Sequence, residues 1–96
     1  MNDSYKWVRA SVDQVLSPTP VYLATVIITP HKEKVGQVTM YNGETTNDPQ
    51  VLFMQTESSG SLVINFNPPL FLNKGLYVDI IQDVDDVLFH FSSEKE

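Results

Sequence analysis

Apolar and polar residues alternate with a period of two along most of this chain, and no window repeats convincingly at the helical period of about 3.6 residues. Gln37-Val38-Thr39-Met40-Tyr41 alternates as a half-exposed strand should. Leu62, Ile64 and Phe66 share one face, against Ser61, Val63 and Asn65. Leu76, Val78 and Ile80 oppose Tyr77, Asp79 and Ile81, and Val87, Phe89 and Phe91 oppose Leu88 and His90. Near the start, Trp7, Arg9 and Ser11 alternate with Val8, Ala10 and Val12. Val51 to Met54 is a short apolar run. Val21 to Ile28 is apolar on both faces, as suits a central strand covered on both sides. The pattern leaves its inward face open between Val21, Leu23 and Ile27 on one side and Tyr22, Ala24, Val26 and Ile28 on the other. The lone helical candidate, Val12 to Leu16, is too short to weigh.

Turn residues punctuate these segments. Pro18 and Pro20 precede the second strand, and Thr29 to Lys34 forms a polar turn. Asn42-Gly43 begins a loop running to Gln50, and Ser58-Ser59-Gly60 reads as a tight hairpin turn. Asn67-Pro68-Pro69 is stiff and extended, Asn73-Lys74-Gly75 is a turn, and Gln82 to Asp86 is the last. Short strands rich in Val, Ile, Phe and Tyr, with turn signals about every 8 to 15 residues, predict an all-β single domain. The expected architecture is an antiparallel β-sandwich, jelly-roll-like, of about seven to eight strands. Its predicted core is Leu23, Ile27, Val38, Met40, Leu62, Ile64, Phe66, Leu76, Val78, Ile80, Val87 and Phe89. Residues 1–19 are expected to form an N-terminal arm or first strand, 20–91 the sandwich core, and 92–96 a frayed tail.

Composition narrows the function classes. The chain has 96 residues, enough for one modest core. It has no cysteine, which excludes disulfide staples, a thiol nucleophile and cysteine-ligated metal. Oligomerisation is the remaining support for a small core. Six Lys and Arg face twelve Asp and Glu, giving a net charge of −6, and the basic residues form no run. Such a surface repels phosphate backbones and anionic headgroups, so neither nucleic acid nor membrane is an expected partner. The N-terminal residues carry no basic region followed by an apolar one, and Val21 to Ile28 is far too short to span a bilayer.

The constellations that carry chemistry are thin, and no catalytic residue is assigned. Asp79, Asp83, Asp85 and Asp86 cluster in sequence, as calcium ligands do, but lack the glycine and distal glutamate of an EF-hand loop. They read as a solvated acidic turn. His31 and His90 are far apart and show no ligand spacing for zinc; His31 belongs to a turn and His90 to an outer strand face. No metal or cofactor is therefore expected. Ser58 to Ser61 has no nucleophile elbow around it. Gly36, Gly43, Gly60 and Gly75 are scattered singly, so no phosphate loop exists. Tyr5 and Trp7, interleaved with Lys6 and Arg9, are residue types that anchor protein interfaces or stack on sugars, unless Trp7 fills the core. With Leu88 and His90 from the outward side of the last strand, Tyr5, Trp7 and Arg9 are the candidate interface residues.

Several phrases in order carry a resemblance: Pro20-Val21-Tyr22-Leu23, Val38-Thr39-Met40-Tyr41-Asn42-Gly43, then Leu70 through Asp79 with Lys74-Gly75-Leu76-Tyr77-Val78 at its centre, then the closing strand Val87 to Phe91. This order resembles small virion proteins of tailed bacteriophages, over about Pro20 to Phe91. The resemblance implies a non-enzymatic capsid decoration or appendage protein, assembled in the host cytoplasm and resident in the virion. It implies self-association as a trimer and docking on the major capsid protein or another virion protein. The alternative is a carbohydrate- or receptor-binding module of a phage tail or fibre, with aromatics such as Tyr41 or Phe71 on loops. No functional residue follows from the resemblance.

Overall fold

The computed structural model describes residues 5–58 and 60–93. Eight strands form: β1 (Lys6–Ala10), β2 (Gln14–Ser17), β3 (Val21–Pro30), β4 (Gln37–Tyr41), β5 (Gln50–Gln55), β6 (Leu62–Leu72), β7 (Leu76–Gln82) and β8 (Val84–Ser92). No helix occurs among the described residues. One sheet has the order β1-β8-β3-β6 and the other β2-β7-β4-β5, with every neighbouring pair antiparallel. First pairs with last, second with seventh, third with sixth and fourth with fifth. A long β-hairpin folded over on itself gives that nesting, which is the jelly-roll form of the sandwich.

The core lies between the two sheets. Leu23, Val26, Ile28, Val87, Phe89 and Phe91 from the first sheet meet Val38, Met40, Met54, Leu76 and Val78 from the second. The inward face of β3 changes parity partway. Val21 and Leu23 point in, and then so do Val26 and Ile28. The cause is a bulge: Leu23 pairs with Leu70 but Thr25 with Asn65, so residues 66–69 stand opposite Ala24 alone. Ile27 is consequently on the outer face and not in the core, where strict alternation puts it. Leu62, Ile64, Phe66 and Ile80 are partly buried and pack against the core, as part of its margin.

The N-terminal segment is structural. β1 closes one edge of the first sheet against β8, β2 closes one edge of the second against β7, and Ala10 is completely buried. Residues 6–17 are thus two strands of the sandwich and no arm, because Val8 and Ala10 supply inward apolar groups that β8 needs covered. Val12 to Leu16, the helical candidate, leads into β2 instead. At the other end Ser92 is the buried last residue of β8, so the sandwich extends one residue into the expected tail. Residues 1–4 and 94–96 lie outside the described residues.

Candidate functional site

The antiparallel register brings the five candidate interface residues onto one surface, the outer face of the β1-β8-β3-β6 sheet. Val8, Ala10, Phe89 and Phe91 point inward, so the residues between them must point out. Trp7 lies opposite His90, and Arg9 opposite Leu88. The indole of Trp7 stacks on the His90 imidazole, 4.2 Å between ring centres and 12° between planes. Tyr5 approaches the same imidazole at 5.3 Å, tilted by 49°. His90 is therefore flanked by two aromatic rings, while Trp7 remains 51% exposed. Trp7 is not a core residue.

Two rows continue across the sheet. His90 pairs with Thr25, and Thr25 with Asn65, so the first row reads Trp7, His90, Thr25, Asn65. Leu88 pairs with Ile27, and Ile27 with Val63, so the second reads Arg9, Leu88, Ile27, Val63. The first row ends in a hydrogen bond, the Thr25 hydroxyl donating to Asn65 Oδ1 at 2.9 Å. The second is aliphatic apart from Arg9, whose Nε lies 3.7 Å from Asp86 Oδ2. Further along, Tyr22 and Phe71 pack ring to ring at 4.8 Å. Cross-strand neighbours of this kind cover one another's sides but leave their tips in water. Val63 and Phe71 are each about half exposed. Ile27, Val63, Tyr22 and Phe71 thus join a surface of which sequence reasoning found only the β1 and β8 part. The alternation in Leu62 to Phe66 held the signal for Val63; Ile27 was hidden by the bulge.

The other candidates separate in space. Asp85 Oδ1 accepts from His31 Nδ1, 2.9 Å away, and Asp86 faces Arg9. Asp83, at φ 53°, makes the tight β7–β8 turn, and its carbonyl accepts from the His31 backbone N–H at 2.7 Å. Asp79 is on the outer face of the opposite sheet, across from Thr39. Among the described residues, no three His, Cys, Asp or Glu are placed to hold a metal ion together. Tyr41 and Phe71 are strand residues and not loop aromatics; Tyr41 packs on Tyr77 at 6.1 Å.

The opposite outer face has one electrostatic feature. Asp13 Oδ1 accepts the Ile80 backbone N–H at 2.7 Å, which holds its carboxylate beside Asp79. Partial burial raises the Asp79 pKa, and the charge of Asp13 and a hydrogen bond with it raise it further. Tyr77 is pushed up as well, by desolvation first and then by Asp13 and Asp79. The hydrogen bond between the two carboxyls thus favours the protonated form of Asp79. Comparison of the chain with protein-family models and with curated proteins finds no match.

Proposed function

We propose that this domain is a non-enzymatic structural protein of a tailed-bacteriophage virion, which self-associates and docks on the particle through the outer face of the β1-β8-β3-β6 sheet. The observation that supports the reading is the convergence of Tyr5, Trp7, Arg9, Leu88 and His90 with Ile27 and Val63 into one apolar and aromatic surface. Exposed apolar patches with an aromatic and an arginine at one side are typical of protein contacts. The jelly roll is a frame that capsid and lectin domains both use, so the fold alone does not choose between them. The order of phrases along the sequence adds the virion context.

The test is reconstitution. Particles assembled without this chain should take it up, and it should be resolved on their surface. The double variant Trp7→Ala with Val63→Asp should keep its β spectrum and lose most of that binding. A chain that never associates with particles, with the fold intact, overturns the reading. The half-exposed Trp7 indole also supports the carbohydrate-binding alternative, since sugars stack on such a face. A glycan array distinguishes it: saccharide binding that Trp7→Ala removes would favour a receptor-binding module.

A further inference from the structure

We propose that a second copy of this chain adds to the free edge of β5, joining two β2-β7-β4-β5 sheets into one continuous sheet about a two-fold axis at Phe53. The inference rests on the self-association part of the reading above and replaces the three-fold symmetry implied by the resemblance with a two-fold.

The sandwich has four edge strands, β1, β6, β2 and β5. An edge strand presents unpaired N–H and C=O groups, and proteins guard such edges with charge, proline, bulges or shortness. Three are guarded. β1 carries Lys6 and Arg9. β6 contains Pro68 and Pro69, which lack N–H donors, in the stretch that bulges away from Ala24. β2 has four residues and a register shift of its own. β5 reads Gln-Val-Leu-Phe-Met-Gln, six residues with neither charge nor proline. Its one register shift, at Val51, leaves Leu52 to Gln55 regular, so among the described residues it is the edge most open to strand addition.

Charge favours the same place. Two chains of net charge −6 repel, and they approach at least cost where the surface is neutral. β5 is uncharged along its length and exposes Phe53 at 45%.

Register selects the axis. In an antiparallel pair, directly opposite residues point to the same face. Leu52 and Met54 are the inward residues of β5, opposite Met40 and Val38, and Phe53 is outward, opposite Thr39. The β4–β5 ladder is regular from Leu52 to Gln55 and shifts at Val51. A two-fold at Phe53 uses that regular stretch. It sets Leu52 of one copy against Met54 of the other, both facing the core, and stacks the two Phe53 rings on the outer face. Isologous pairing then closes after two copies.

The test uses the full chain. Sedimentation should show a monomer–dimer equilibrium. Phe53→Glu and Phe53→Lys, each placing like charges on the axis, should weaken it at least tenfold without changing the β spectrum. Mixing the two variants should restore dimers, which a merely structural effect at this exposed position cannot do. Because the chain has no cysteine, Phe53→Cys should give a cross-linked dimer on mild oxidation, whereas Val63→Cys, on the other sheet, should not. Association lost in Trp7→Ala with Val63→Asp but kept in Phe53→Glu would overturn the edge pairing and leave the proposed function standing. So would a trimer; a chain that is monomeric in solution yet binds particles would overturn the edge pairing together with the self-association part of the proposed function and leave only the docking.

Discussion

Gly75, in the turn between β6 and β7, has φ +137°, a region that side chains resist. A Cβ placed there would stand 2.5 Å from the Ser17 carbonyl oxygen and 3.2 Å from that of Gly43. Both strain and collision follow from the same position, since Gly75 is where this turn passes under the β2–β3 connection. Gly75→Ala should cost roughly 1–3 kcal/mol, and Gly75→Val more, as read by urea denaturation. Equal and negligible losses would contradict the backbone assignment. The turn phrase Asn73-Lys74-Gly75 is legible in sequence; the carbonyls that crowd it come from distant segments and are not. Asp79 offers a second residue-scale test. Its pKa is raised above 3.8, so the folded chain holds that proton more tightly than the unfolded chain does. Charging Asp79 costs stability as pH rises from its ordinary value through the raised one, and the whole cost is present at neutral pH. Asp79→Asn removes the repulsion with Asp13 and supplies an amide N–H toward it. Thermal melts at pH 7 should show a gain of up to about 1 kcal/mol, the scale of exposed charge pairs, vanishing below about pH 3. A loss at pH 7 would mean that the Asp79 carboxylate makes a favourable contact.

At the scale of elements, the strand pattern was readable wherever one face was polar. Alternation set the inward residues of β7 and β8 correctly because a slip of one residue there would turn Asp79 or His90 into the core. On β4 the inward pair Val38 and Met40 was read correctly as well, although Thr39 between them is itself buried on the outer face. β3 had no such marker. Its residues are apolar on both sides, and the bulge against residues 66–69 reverses the parity between Leu23 and Val26. The two adjacent isoleucines test that reversal. Ile28→Ala should cost about 2–5 kcal/mol, as a buried large-to-small change does. Ile27→Ala, on the outer face, should cost about 1 kcal/mol or less. An inverted order would restore the unbroken alternation. β1 and β2 were harder to read for another reason. They are short, and each pairs with a strand far along the chain, Gln14 with Val78 and Lys6 with Phe91, so nothing local marks them as sheet members. Removing residues 1–11 should therefore do more than weaken docking. It uncovers the β8 edge and the side of Phe89 and Phe91 that Val8 and Ala10 cover, and loss of cooperative unfolding or aggregation is the expected result.

For the whole molecule, the two surfaces answer to different physics, and salt separates them from ion-pair contacts. The face with Trp7, Leu88, Ile27 and Val63 is apolar apart from the Arg9–Asp86 pair at its side, and the β5 edge has no charge. Neither contact gains from attraction between charges, while the molecule as a whole carries −6. Two copies side by side, with a radius of gyration of 12.7 Å each, have centres about 30 Å apart. Unscreened in water, their repulsion is about 5 kcal/mol. At about 10 mM salt the Debye length is about 30 Å, and roughly 2 kcal/mol remains. At about 150 mM it is about 8 Å, and the remainder is negligible. Self-association should therefore tighten on the order of tenfold between those conditions. Sedimentation equilibrium at the two salt concentrations measures this directly. Weakening instead of tightening would show that oppositely charged groups hold the copies together. Arg9, Lys6 and the Asp13–Asp79 pair would then be the residues to examine, since they put positive charge on one sheet's rim and negative charge on the other's outer face.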